Sequence, residues 1–475
     1  MKQVELIEKR KPREKHYLRE DGTILAKVYD TDIHYLKDGK YEEIDNTLVN
    51  ENGVLKNKSN DYKVEFKENF RDSLMKMSKD EHYMDFKIRE SKMDNIKSDM
   101  RKLSKKMKNV TYNNITDDIT VEYKTLSNKV KETIVLQNAN YSELSFELDT
   151  NLNLSIENGE VLAKDRDGGI IFNIEKPFMI DSNNIRNDDI HYSLDCFDDG
   201  YILTLVLDDE WLNSEERKFP VYIDPTISNK GQNISLYDTY IYPGDTNDVR
   251  SNKEYLKAGV ERANGQDRIN RTLIKFDLPV LATGDEIISA SLDLVSYPTY
   301  SVEPKYNVAT FHRITCNWDE NSANWNSMHD KYDNYVESMF YGTRSTINNG
   351  SIFPAYSIYE SDITNLVKRW YKDTPNYGIM IKSLKEIYDD DDYPAFYSNN
   401  NTYTENNPKP IFQLVYRNQS GLEEYLNYKK QAFTDGSSYI NTYNGNLTSI
   451  FDLGETIKGN LPIVLNLVYN TNDVI

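Results

Sequence analysis

Flat aromatic rings of the kind that stack on sugar faces are carried by Trp318 and Trp325, and by Tyr297, Tyr300, Tyr341 and Tyr393 in stretches read as loops. Oxygen donors for a hard cation gather at Asp238, Asp245 and Asp248, with a further acidic run at 389–392. Calcium, which takes six to eight oxygens, is the ion such donors suit, although none of them has EF-hand spacing and four consecutive acids also make an ordinary solvated loop. For the tryptophans, core packing competes with ligand contact: Trp370 lies on the apolar stripe of a short helix, and Trp318 and Trp325 sit where aromatics pin a loop.

Chemistry of other kinds finds little support. The six histidines are scattered, and the sequence contains no His-Glu-x-x-His, no Cys-x-x-Cys, no Gly-x-Ser-x-Gly and no Walker-type glycine loop. Cys196 and Cys316 lack a local catalytic signature. With 77 acidic residues, carboxylate pairs arise by chance, so a glycosidase-like pair is not legible from sequence. The expectation is a protein that is not an enzyme.

The elements that must position these side chains are strands. In Asn270-Arg-Thr-Leu-Ile-Lys-Phe-Asp-Leu-Pro279, Thr272, Ile274, Phe276 and Leu278 share one face at period two. Arg271, Lys275 and Asp277 share the other, which predicts a half-buried strand stopped by Pro279. Short runs at Leu292/Leu294, Val308 to Ile314, Ile379-Met380-Ile381 and Phe412 to Tyr416 continue the style. Together they argue an antiparallel β-sandwich of jelly-roll type. One helix interrupts it, capped by Ser361 or Asp362, with Ile363, Leu366, Val367 and Trp370 as its apolar stripe.

Asp238-Thr-Tyr-Ile241, Arg271 to Pro279, Trp318-Asp-Glu with Asn324-Trp-Asn326, the helix to Trp370 and Asn376-Tyr-Gly378 occur in an order that resembles the DNRLRE-type sandwich domain. That resemblance implies carbohydrate binding on a secreted or surface protein, as in Gram-positive Rhs/YD-repeat, polymorphic-toxin-like proteins, with calcium as a loop-locking ion. Residues 21–226 read as a separate β-rich domain similar to the region before DNRLRE domains, with the Asp38-Gly39 turn its strongest hairpin signal. Between its strands, Met93, Ile96, Met100 and Leu103 could form one stripe of a solvated helix. Residues 1–20 read as a flexible arm, 227–417 as the sandwich, and 418–475 as the truncated start of a YD-repeat shell whose remainder would be a partner in a full-length parent.

Composition sets limits on partners. The 475 residues suit two or three domains, and 36 tyrosines supplement a hydrophobic fraction of 38%. A formal charge of −20 disfavours nonspecific contact with nucleic acid or anionic membrane. No stretch approaches a membrane span, and Met1 to Lys11 has charge but no apolar signal core, in contrast to the surface location the resemblance implies. The sequence therefore reads as a non-catalytic region binding polysaccharide or cell-wall glycan. The alternatives are a structural cap that binds no sugar and a lyase or hydrolase with an unrecognised site.

Overall fold

The computed structural model describes residues 3–69, 72–89, 108–116, 118–183, 185–197, 200–229, 236–243, 253–263, 266–282, 285–299, 306–320, 322–343, 345–348, 351–353, 358–386, 393–399, 409–418, 427–442, 445–457 and 463–471. The chain is mostly strand, with antiparallel sheets and a few short helices, as the alternating patterns predict. It divides into two compact units, Thr31–Asn233, and Met1–Asp30 together with Ile234–Ile475. The stripe of Met93 to Leu103 lies outside the described residues.

The unit Thr31–Asn233 is built on two large sheets. An eight-stranded one runs from His191–Phe197 through Gly200–Val206, Glu143–Thr150, His82–Ile88, Met75–Lys79, Lys63–Lys67 and Val54–Ser59 to Asp45–Glu51. A ten-stranded one holds Ile227–Asn229 beside Lys129–Leu136, which also pairs with Ile119–Thr125 and Val221–Ile223. Alternate residues of both sheets, including Phe66, Met77, Phe86, Val121, Tyr123, Ile134, Phe146 and Phe172, enter one core. The Asp38-Gly39 turn has positive φ at both residues and joins Lys37 to Lys40, as a two-residue hairpin of this composition requires.

The other unit corrects the expectation for the N-terminus. Residues 1–20 were expected to be a flexible arm, but the described residues from Gln3 on belong to a sheet: Gln3–Glu5 and Glu14–Arg19 are strands, and Ile24–Val28 pairs with Ile411–Asn418 from Ile24↔Tyr416 to Val28↔Phe412. The charged residues around them obscure the signal, yet Leu6 and His16 are buried, and the His16 ring lies 3.1 Å from the Tyr416 hydroxyl. These strands extend Asp285–Val295 and Ile358–Asp362 into a six-stranded sheet.

Its partner layer runs Leu236–Ile241, Gln266–Phe276, Ile379–Ser383, Tyr306–Arg313, Ser338–Thr343. Phe276 stacks on Phe412 at 4.4 Å in the core between them. The helix Thr364–Lys372 buries Leu366, Val367 and Trp370 on the predicted stripe, with Ile363 buried just before it. Neither residue expected as its cap holds that position: the N-cap is Ile363, with no side-chain cap; Asp362, one residue earlier, accepts from the Thr364 amide at 2.9 Å, and Ser361 is buried and its hydroxyl has no partner. Two single-turn helices, Asp209–Leu212 and Trp325–Met328, add to the one that was expected. The last four strands, Tyr428–Phe433, Gly436–Asn441, Leu447–Ile457 and Ile463–Asn470, form a separate antiparallel meander.

Candidate functional site

Lys257 is the centre of an aromatic group in the chain's second half. It lies on the short strand Tyr255–Lys257, which pairs with Ala395–Tyr397. Its ammonium stands 5.0 Å from the Tyr255 ring centroid, 5.2 Å from Tyr393 and 6.0 Å from Tyr240, and is paired with Glu261 at 2.5 Å. Tyr255 in turn meets Tyr240 at 5.9 Å and Tyr297 at 5.1 Å, and Tyr297 meets Tyr397 edge-on at 5.0 Å. Backbone pairing fixes the group, since the Tyr297 amide donates to the Ala395 carbonyl at 2.8 Å. Tyr240, Tyr393 and Tyr397 are buried, while Tyr255 and Tyr297 are half-buried.

Such a group combines flat apolar rings with a cation lying over them and a carboxylate paired to that cation. Each cation–ring contact is worth about 0.5–2 kcal/mol, so the cluster is pre-organised before any ligand arrives. Of the residues expected to bind carbohydrate, the fold brings Tyr297 and Tyr393 together here. Tyr300 lies outside the described residues, as do Asp245, Asp248 and the acidic run 389–392. Of Tyr341 the backbone alone is described, paired with Val308.

Trp318 and Trp325 stand elsewhere, over the opposite face of Gln266–Phe276. That face was expected to be exposed, and it is not: Leu273 and Met380 are buried beneath Trp318, Met328 and half-buried Trp325 and Tyr332. Trp318 donates from Nε1 to the Tyr377 carbonyl at 2.7 Å, and Trp325 stacks on His329 at 5.4 Å. Arg271, 9% exposed, holds the covering segment down. Its guanidinium makes a fork to both Glu386 carboxylate oxygens at 2.8 and 2.7 Å, bonds the His329 carbonyl, and lies 4.9 Å from the Trp325 ring centroid. Both tryptophans thus pin a segment to the sheet.

Asp238, a candidate cation ligand, is buried on the edge strand Leu236–Ile241 and accepts from the Asn399 amide at 2.8 Å. Burial pushes its carboxyl well above the ordinary range. Glu320 is pushed up to about 7, by burial first, against the opposing hydrogen bond from the Asp238 amide. Glu320 Oε2 and Asn399 Oδ1 are buried without partners. Asp238, Glu320 and Asn399 are therefore the residues that could offer oxygens to a cation, three side chains where calcium takes six to eight oxygens.

No protein-family model matches the chain. It is 25% identical over 415 residues to the tRNA nuclease WapA of Bacillus subtilis strain 168, a match covering 80% of this chain and 17% of that protein. The tRNA3(Ser)-specific nuclease WapA of Bacillus spizizenii is 26% identical over 292 residues, 57% of this chain and 12% of its own length. A wall-associated protein of Geobacillus stearothermophilus is 28% identical over 198 residues, 38% of this chain and 77% of that protein. The chain is a distant homologue of the WapA wall-associated proteins. It spans less than a fifth of the length of the WapA relatives.

Within this WapA-like chain, sequence reasoning missed Lys257, Tyr255, Tyr240 and Tyr397. No spacing links them, because they come from three separate strands, and among 36 tyrosines a cluster leaves no local signal. Arg271 falls by spacing on the polar face of a strand read as half-buried, and its burial is not visible from that spacing. Its fork predicts that Arg271→Lys costs about 1–2 kcal/mol although the charge is kept, since an ammonium cannot make the bidentate contact. Chemical denaturation followed by tryptophan fluorescence measures this, and an unchanged midpoint would contradict the clamp.

Proposed function

We propose that this chain is a non-catalytic, wall-directed region that binds cell-wall carbohydrate through the tyrosine cluster at Lys257 and presents the protein of which it is part at the cell surface. The observation that carries the reading is the convergence of Tyr255 and Tyr297, half-buried and flanked by Lys257 and Glu261, in a chain homologous to a wall-associated protein. A DNRLRE-type sandwich as the binding domain is part of the same proposal. The relatives named as tRNA nucleases lend no RNA partner to this region, whose charge of −20 opposes contact with phosphate backbones. Among the described residues no helix is long and apolar enough to cross a membrane.

Each sugar contact of this kind is weak, so affinity at the wall would rest on repeated engagement along a polymer. The test is co-sedimentation of the full chain with insoluble Gram-positive cell wall and with a panel of polysaccharides, in calcium and in chelator. Saturable binding is expected, weakened roughly tenfold by Tyr255→Ala combined with Tyr297→Ala, the equivalent of about 1.4 kcal/mol. A folded chain that stays in the supernatant overturns sugar binding. A structural carrier, supported by the burial of Tyr240, Tyr393, Tyr397 and Trp318, would then be the better reading. Release of soluble sugars from the wall would instead reveal a hydrolase or lyase.

A further inference from the structure

In the unit Thr31–Asn233, three side chains that no part of the wall-binding proposal uses meet in one hydrogen-bonded triangle. The Lys79 ammonium donates to Asp61 Oδ2 at 2.9 Å and to Asn229 Oδ1 at 3.1 Å. The Asn229 amide nitrogen donates to both oxygens of the same Asp61 carboxylate, at 3.0 and 3.1 Å. Asn229 is 3% exposed, while the Lys79 and Asp61 side chains are about a quarter exposed. An amine nucleophile therefore rests against a primary amide, and one carboxylate touches both the nitrogen that would attack and the nitrogen that would leave.

The three groups are held by rigid elements. Lys79 ends Met75–Lys79 of the eight-stranded sheet and pairs with His82 across a tight turn at Asp80. Asp61 lies in the turn between the neighbouring strands Val54–Ser59 and Lys63–Lys67. Asn229 ends Ile227–Asn229 of the ten-stranded sheet, pairs with Phe172 and donates its amide to the Asn128 carbonyl at 2.8 Å. The triangle thus joins one large sheet of the unit to the other.

We propose that Lys79 and Asn229 are a cross-linking site, at which the lysine side chain forms an intramolecular isopeptide bond with the asparagine side chain under catalysis by Asp61. The bond formed is Lys79 Nζ to Asn229 Cγ, and the bond broken is Asn229 Cγ to Nδ2. Asp61 takes a proton from the ammonium, freeing the amine to attack, and returns it to the departing nitrogen. Two protons leave Nζ and both end on Nδ2, so ammonium departs and Asp61 finishes as the carboxylate it was at the start. No oxidant, reductant or co-reactant is consumed. Fixed placement of amine, amide and carboxylate supplies what a reaction between separate molecules lacks. The product would tie the two sheets covalently near the last strand of the unit.

The experiment is intact-mass and tryptic mass spectrometry on the full chain, purified folded and incubated at neutral pH. The expected result is a mass lower than that of the sequence by one ammonia, and a branched peptide joining the segment with Lys79 to the segment with Asn229. Lys79→Arg, which keeps the ion pair but cannot form the amide, and Asp61→Ala should each remain linear, with circular dichroism confirming their strand content. Ammonia lost to a succinimide elsewhere would leave no branched peptide and would persist in Lys79→Arg. Recovery of Lys79 and Asn229 only in separate linear peptides from the folded wild type overturns the proposal. This outcome is independent of whether the chain binds wall.

Discussion

Gly378→Ala is expected to destabilise the unit containing the tyrosine cluster by more than about 3 kcal/mol, because two penalties fall on one position. Gly378 has φ of +92°, which an L side chain rarely adopts, and a Cβ there would stand 2.3 Å from the Ile274 carbonyl oxygen, an atom of the central strand's backbone that has nowhere to go. The damage would spread beyond that strand. The Gly378 amide donates to Asn376 Oδ1, whose amide nitrogen bonds the Phe276 carbonyl at 2.8 Å, and the Gly378 carbonyl accepts from the Ile314 amide at 3.0 Å. The neighbouring Tyr377 carbonyl receives the Trp318 indole. Displacing this turn loosens the helix exit, the central strand and the Trp318 segment together. Urea denaturation followed by tryptophan fluorescence reads mainly this unit, since Trp318, Trp325 and Trp370 belong to it and Trp211 alone belongs to the other. A variant within 1 kcal/mol of wild type would show that the turn relaxes at little cost.

That turn also shows what a sequence reveals and what it conceals. Asn376-Tyr377-Gly378 is recognisable as punctuation between a helix and a strand, and the helix stripe of Leu366, Val367 and Trp370 follows from spacing alone. Asp38-Gly39 is equally legible, because the backbone conformation of a two-residue hairpin is a property of those two residues. Pairings between distant segments are not legible. Nothing near Ile24 indicates that its partner is Tyr416, and the charged residues around Leu6 and His16 hide two strands that such pairing stabilises.

Arg271 illustrates a second limit. Period two places it correctly opposite Thr272 and Ile274, but the inference from polar to exposed fails when a distant segment covers that face and supplies Glu386 and a ring to the guanidinium. The same holds for the candidate sites. Tyr297 and Tyr393 are visible as loop tyrosines, yet what makes them a site is Lys257, and what makes Lys79 reactive is Asn229, 150 positions away. Side-chain chemistry is local information, whereas proximity is created by sheet order.

Glu132→Gln is the second large effect, and its size depends on pH. Glu132 lies on Lys129–Leu136 and is 4% exposed, with the Tyr123 hydroxyl donating to its Oε1 at 2.6 Å. Burial, opposed by that hydrogen bond and reinforced by the charge of Asp224, pushes its carboxyl up to about 8 from an ordinary value of 4.5. Between these two values the folded chain keeps a proton that the unfolded chain releases. The stability contributed by the neutral acid is therefore complete below about pH 4.5 and declines as pH rises through 8, by an amount of roughly 3–5 kcal/mol. A glutamine keeps the oxygen that accepts from Tyr123 and cannot ionise. The two proteins should melt alike near pH 4.5, and Glu132→Gln should be the more stable by several degrees at pH 8.5. Comparing the pair at each pH removes the contributions of Asp238 and Glu320, whose raised carboxyls titrate in both proteins. Equal melting temperatures at pH 8.5 would mean that Glu132 ionises without cost, through water or a cation reaching it, and that the core around Tyr123 and Tyr192 is more open than its burial shows.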